Sequence, residues 1–75
     1  MRIDYYAEED TIYIELRQGG VDSTRKITKN LLVDLDRQER PVGIEILSVK
    51  SFLTQKDIFT VSLNIDIEEP SVKSK

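Results

Sequence analysis

Leu31-Leu32-Val33-Asp34-Leu35-Asp36 and Val42-Gly43-Ile44-Glu45-Ile46-Leu47 decide the fold. Each run alternates with period two, which places every second side chain on one face of a strand. Closing the pair over Arg37-Gln38-Glu39-Arg40 sets Leu35 opposite Val42, Val33 opposite Ile44 and Leu31 opposite Ile46. All six are aliphatic and share a face. On the other face Asp34 falls opposite Gly43, and Leu32 opposite Glu45. Pro41 stands just before a strand, where its missing N–H is not needed by a ladder. The loop has no Asn-Gly pair, so a wider turn than the tight primed type is expected. Gly43 inside a strand marks a bulge, or a gap filled by a neighbouring side chain or a partner; local packing opposite Asp34 is the simpler reading.

The same periodicity extends outward. Ile3 and Tyr5 alternate with Arg2, Asp4 and Tyr6, and Ile12, Ile14 and Leu16 alternate with Tyr13 and Glu15. A hairpin closed over Ala7-Glu8-Glu9-Asp10 pairs Tyr5 with Ile12, Ile3 with Ile14 and Arg2 with Glu15. A slip of one residue would turn the apolar set into water, so the pattern selects the register. Gln18-Gly19-Gly20 reads as a turn in which glycine can take positive φ. A polar strand, roughly 22–28, follows and has the composition of an edge. Lys29-Asn30 reads as a two-residue turn.

Beyond the central hairpin, Val49, Phe52 and Leu53 fall at i, i+3 and i+4 after Ser48, a candidate N-cap. This predicts a short helix across the aliphatic face. Strand periodicity then returns in Phe59, Val61, Leu63, Ile65 and Ile67, the longest alternating run in the chain. The expected fold is therefore α+β and mostly β: an antiparallel meander of four or five strands, one short helix on one face, and a C-terminal strand at about 58–68. Residues 1–69 form a single domain in this reading, and 70–75 a disordered tail. The expected core comprises Ile3, Tyr5, Ile12, Ile14, Leu16, Val33, Leu35, Val42, Ile44, Ile46, Phe52 and Leu53.

Composition narrows the chemistry. A chain of 75 residues buries little core, and small folds usually add disulfides, a metal or a second subunit. This one has no cysteine and no histidine. Disulfides, Cys/His zinc sites, thiol nucleophiles and imidazole bases are thereby removed, which leaves self-association as a homodimer. The net charge of −3 and the scattered Lys and Arg speak against nucleic acid. No apolar run has the length of a membrane helix, so a cytoplasmic location is expected by default.

The carboxylates are the remaining candidates for a site. Asp34, Asp36 and Glu45 offer oxygen ligands of the kind Mg²⁺ or Ca²⁺ takes, but the 36–40 loop lacks calcium-loop spacing. A solvated polar face with Arg25 or Lys26 near Asp34 is the expected alternative. Glu8, Glu9 and Asp10 form a like-charged loop, either solvated or a contact for a basic partner. No phosphate-binding glycine motif or catalytic constellation is present, so no enzyme, cofactor or metal is expected. Tyr6 and Tyr13 share a face with Asp4 and Glu15, which suits an interface better than stacked bases.

Three blocks carry a resemblance: residues 5–16, Leu32-Val33-Asp34-Leu35-Asp36, and Pro41-Val42-Gly43-Ile44-Glu45-Ile46-Leu47. Over roughly residues 1–53 the chain resembles the YuzE-like family of small prokaryotic domains of unknown function. Many members carry Gly or Asn where this chain has Gln38-Glu39, and an acidic or polar residue in place of Tyr6. The resemblance implies no activity. Through neighbouring genes it suggests an antitoxin-like subunit masking a small basic toxin, with Glu8, Glu9, Asp10, Asp66, Glu68 and Glu69 as contacts. The reading favoured by the residues is a self-associating protein-interaction module working through a sheet edge or the C-terminal strand, with Phe59, Val61, Leu63, Ile65 and Ile67 as its interface.

Overall fold

The computed structural model describes residues 1–66. Five strands form one antiparallel sheet: β1 (Arg2–Tyr6), β2 (Thr11–Glu15), β3 (Ser23–Thr28), β4 (Leu31–Leu35) and β5 (Pro41–Ile46). A 3₁₀ turn (Val49–Ser51) and one turn of helix, α1 (Gln55–Ile58), follow. The fold is thus mostly β with a short helical piece, as the alternation implies.

The registers of the two expected hairpins hold. Ile3 pairs with Ile14 and Tyr5 with Ile12, while Leu31 pairs with Ile46 and Val33 with Ile44. One pairing shifts: Leu35 lies opposite Pro41, because a bulge at the Asp34/Leu35 step leaves Val42 as the extra residue. The 36–40 turn is wide, and Glu39 adopts the left-handed conformation at φ 64°.

The strand order is β1-β2-β5-β4-β3, so the meander is broken once. β5 inserts between the two hairpins, with Ile14 opposite Ile44 and Ile12 opposite Ile46. The insertion continues the aliphatic rows across the sheet, whereas the polar β3 has little apolar surface to offer β2. β3 is instead an edge strand, exposed throughout. To reach it, residues 16–22 cross the ends of β5 and β4. On the way the Leu16 N–H donates to the Val42 carbonyl and the Asp22 N–H to that of Leu35. Gly19 and Gly20 lie in this crossing, and neither takes positive φ. The chain bends at Arg17 and Gln18 instead, so the expected turn does not use the glycines' freedom. Lys29-Asn30 does form the β3–β4 turn, also without positive φ, beside a bulge at Lys26/Thr28.

The apolar face carries Ile3, Ile14, Ile44 and Val33 in one row and Tyr5, Ile12, Ile46 and Leu31 in the next. Chain 48–58 covers only part of it. The buried hydrophobic residues are Leu35, Val42 and Val49. Most of the expected core is half-buried, and Ile3 and Phe52 are exposed. The predicted helical stripe fails at both ends. Ser48 is left-handed (φ 53°) and makes no side-chain cap, and at Phe52 the backbone leaves the helical region (φ −141°). The helix starts later, at Thr54, whose hydroxyl accepts from the Asp57 N–H while the Asp57 carboxylate accepts from the Thr54 N–H.

The expected C-terminal strand does not form in the single chain. Residues 59–66 pair with no strand, since alternation yields a strand only where a ladder partner satisfies its backbone. Ile67, Glu68, Glu69 and the expected tail at 70–75 lie outside the described residues.

Candidate functional site

The polar face is built from two cross-strand rows. One holds Arg2, Glu15, Gly43, Asp34 and Thr24, the other Asp4, Tyr13, Glu45, Leu32 and Lys26. Gly43 is the low point of this surface. A β-carbon there would lie 2.6 Å from Cζ of Tyr13, so the phenol occupies the space that a side chain would fill. The gap at Gly43 is therefore covered from within the chain.

Asp34 lies under this arrangement and is buried at 4% exposure, contrary to the solvated reading. The Thr24 hydroxyl donates to it at 2.8 Å, taking the role expected of Arg25 or Lys26. Burial, with the neighbouring Asp34, pushes the Glu45 carboxyl above its ordinary range. The same two causes raise the Tyr13 phenol, which stays protonated at neutral pH. Tyr6, Tyr13, Glu9, Glu45, Thr11 and Leu47 line an open groove of about 490 Å³ on this face.

Asp36 does a different job. Its carboxylate accepts from the Gln38 and Arg40 N–H groups at 2.8 and 2.9 Å, from Arg40 Nε at 3.0 Å, and from the Arg17 guanidinium. These bonds, the Arg40 N–H first, hold its pKa down at about 2. Arg17 belongs to the crossing segment, so Asp36 ties that segment to the β4–β5 turn. Asp34 and Asp36 are thus separated in role, and no three acidic groups converge as metal ligands among the described residues.

The acidic loop divides. Glu8 and Glu9 are exposed, but Asp10 turns inward at φ 53°. Its carboxylate accepts from Tyr5 Oη at 3.1 Å and from the Lys50 N–H at 3.1 Å, and its carbonyl accepts from the Val49 N–H at 3.1 Å. Burial and this bond raise the Tyr5 phenol. Asp10 therefore anchors the 3₁₀ turn to the first hairpin. Neither its spacing nor its neighbours in the sequence indicate that role, which depends on a residue forty positions away.

Of the predicted interface, Phe59, Val61, Leu63 and Ile65 are all exposed, at 72, 66, 73 and 64%. Phe59 stands with Ile58 and Gln55 beside Tyr5 and Ala7, around a cavity of about 360 Å³. Ile67 is outside the described residues. Glu9 thus faces the polar side, while Phe59 begins beside Ala7 of the same loop, near the covered end of the apolar side.

Among the described residues, no helix is long and apolar enough to cross a membrane. No curated protein and no solved structure matches the chain. A family model described as a protein of unknown function (DUF2283) matches residues 2–50, from the start of β1 into the 3₁₀ turn. The match spans the whole sheet and stops before α1 and the apolar segment, and by it the chain belongs to the DUF2283 family.

Proposed function

We propose that the chain is a small protein-interaction module that self-associates as a homodimer in the cytosol, through the segment 59–67 and the open part of its apolar sheet face. The observation that carries this reading is the exposure of Phe59, Val61, Leu63 and Ile65 in a segment that pairs with no strand of its own chain. An alternating apolar segment leaves both its side chains and its backbone groups unsatisfied until it meets another sheet. The half-covered face of Ile3, Ile14, Ile44 and Val33 is a surface of matching character. A fold with so few buried hydrophobic residues gains stability when a second copy completes its core. YuzE-like membership, as a finer naming within the family, is compatible with this role and adds no activity to it.

Size-exclusion chromatography with light scattering tests the reading. The full chain is expected to run as a dimer at high micromolar concentration, and the double variant V61D/L63D as a monomer with an unchanged β-sheet spectrum. A full chain that stays monomeric under these conditions refutes it.

A further inference from the structure

We infer that the groove between Tyr6 and Tyr13 on the polar face receives an arginine side chain of a basic peptide segment in a partner protein. This site is separate from the self-association surface and does not depend on it. Tyr6 and Tyr13 come from adjacent strands, and the diagonal from Tyr6 to Tyr13 runs along the same face. Glu9 closes the groove from the β1–β2 turn, and Glu45 closes it from β5. Two aromatic rings and two carboxylates thus converge on one open space of about 490 Å³, and no Lys or Arg lines it.

The charges of the groove are not matched from within the chain. The ion pairs among the described residues are Arg2–Asp4, Arg17–Asp36 and Arg40–Asp36, so neither Glu9 nor Glu45 has a cationic partner there. The nearest base in the Glu45 row is Lys26, which lies beyond Leu32 at the far edge. A cation entering the groove meets the side chains of Glu9 and Glu45 and the two tyrosines that line it. Guanidinium fits that set better than ammonium, because its plane stacks on a phenol while its N–H fork reaches two carboxylates. The fixed position of Tyr13 over Gly43 holds one wall in place before any ligand arrives. The acidic balance of the chain as a whole favours approach of a basic segment.

The test is a ¹⁵N-HSQC titration of the full chain with a blocked hexapeptide, Gly-Arg-Gly-Gly-Arg-Gly, and with its citrulline analogue, which keeps the shape and loses the charge. The arginine peptide is expected to shift the amides of Tyr6, Thr11, Tyr13, Glu45 and Leu47, and the citrulline peptide to leave them in place. Tyr6→Leu and Glu9→Gln, both at exposed positions, are each expected to weaken binding about threefold or more. Shifts centred elsewhere, equal response to citrulline, or unchanged affinity in either variant overturns the assignment. Because the titration reads individual amides, its outcome is distinguishable from the mass measurement that tests self-association.

Discussion

The phenol of Tyr13 on β2 lies across Gly43 on β5, in the space that a β-carbon at position 43 would need. Tyr13 pairs directly with Glu45, so its ring leans along the strand to reach the glycine rather than standing upright. A side chain at 43 must push the ring off. Gly43→Ala is expected to destabilise the domain by about 1–3 kcal/mol, as overpacking does. In Tyr13→Ala the same glycine substitution loses most of that cost. A double-mutant cycle from urea unfolding reads the coupling, and additive single effects would show that the ring and the glycine are independent.

Asp36 sets an acid limit on the turn. Its folded pKa of about 2 lies below its ordinary value of 3.8, so the charged form is the one favoured by folding. The stabilisation is fully present above the ordinary value and is lost as pH falls from about 3.8 towards about 2. Asp36→Asn is expected to lower the melting temperature at neutral pH and to flatten this part of the acid profile. Thermal melts of both proteins between pH 2 and 7 check it; parallel profiles would remove Asp36 from the acid response.

Glu39 holds a left-handed backbone at φ 64° without a glycine's freedom. Its side chain is exposed, so nothing is lost in packing when it is removed. Glu39→Gly is expected to stabilise by about 0.5–1 kcal/mol, the left-handed cost less the added chain entropy. That corresponds to a rise in melting temperature of roughly 2–8 °C for a domain of this size. A fall would show that the Glu39 side chain contributes more than its exposure indicates.

Asp10 joins the first hairpin to the chain after β5 through its carboxylate and its carbonyl. Asp10→Ala removes the carboxylate bonds and places alanine at φ 53°, with an expected loss of about 1–3 kcal/mol. Asp10→Asn keeps an acceptor and tolerates the left-handed region, so its loss is expected to be smaller. Hydrogen exchange at the Lys50 amide locates the effect: faster exchange in Asp10→Ala with the sheet amides still protected is the expected pattern.

Much of the sheet was legible because alternation fixes which side chains share a face, and sharing a face fixes register within a hairpin. Ile3–Ile14 and Val33–Ile44 follow from that alone. Alternation does not say which hairpins are neighbours. The Ile14–Ile44 pairing, which places β5 beside β2, spans thirty residues and has no local signature. The run from Phe59 was legible as apolar and alternating, but residues 59–66 pair with no strand among the described residues, and alternation alone does not supply a ladder partner. Asp34 and Asp10 were legible as acidic residues and misleading as exposed ones. Asp34 is buried and accepts from Thr24, and Asp10 is half-buried and held by the backbone after β5.

The last strand among the described residues, β5, sits in the middle of the sheet. During synthesis the β1–β2 hairpin and the β3–β4 hairpin can each form, but nothing joins them until residues 41–46 emerge. Two-stranded hairpins are marginal alone, so the growing chain holds no stable half-sheet before that point. The sheet is therefore complete only once β5 has been made. A chain ending before Gly43 would keep both edges open, which makes truncated products prone to proteolysis and to pairing with one another.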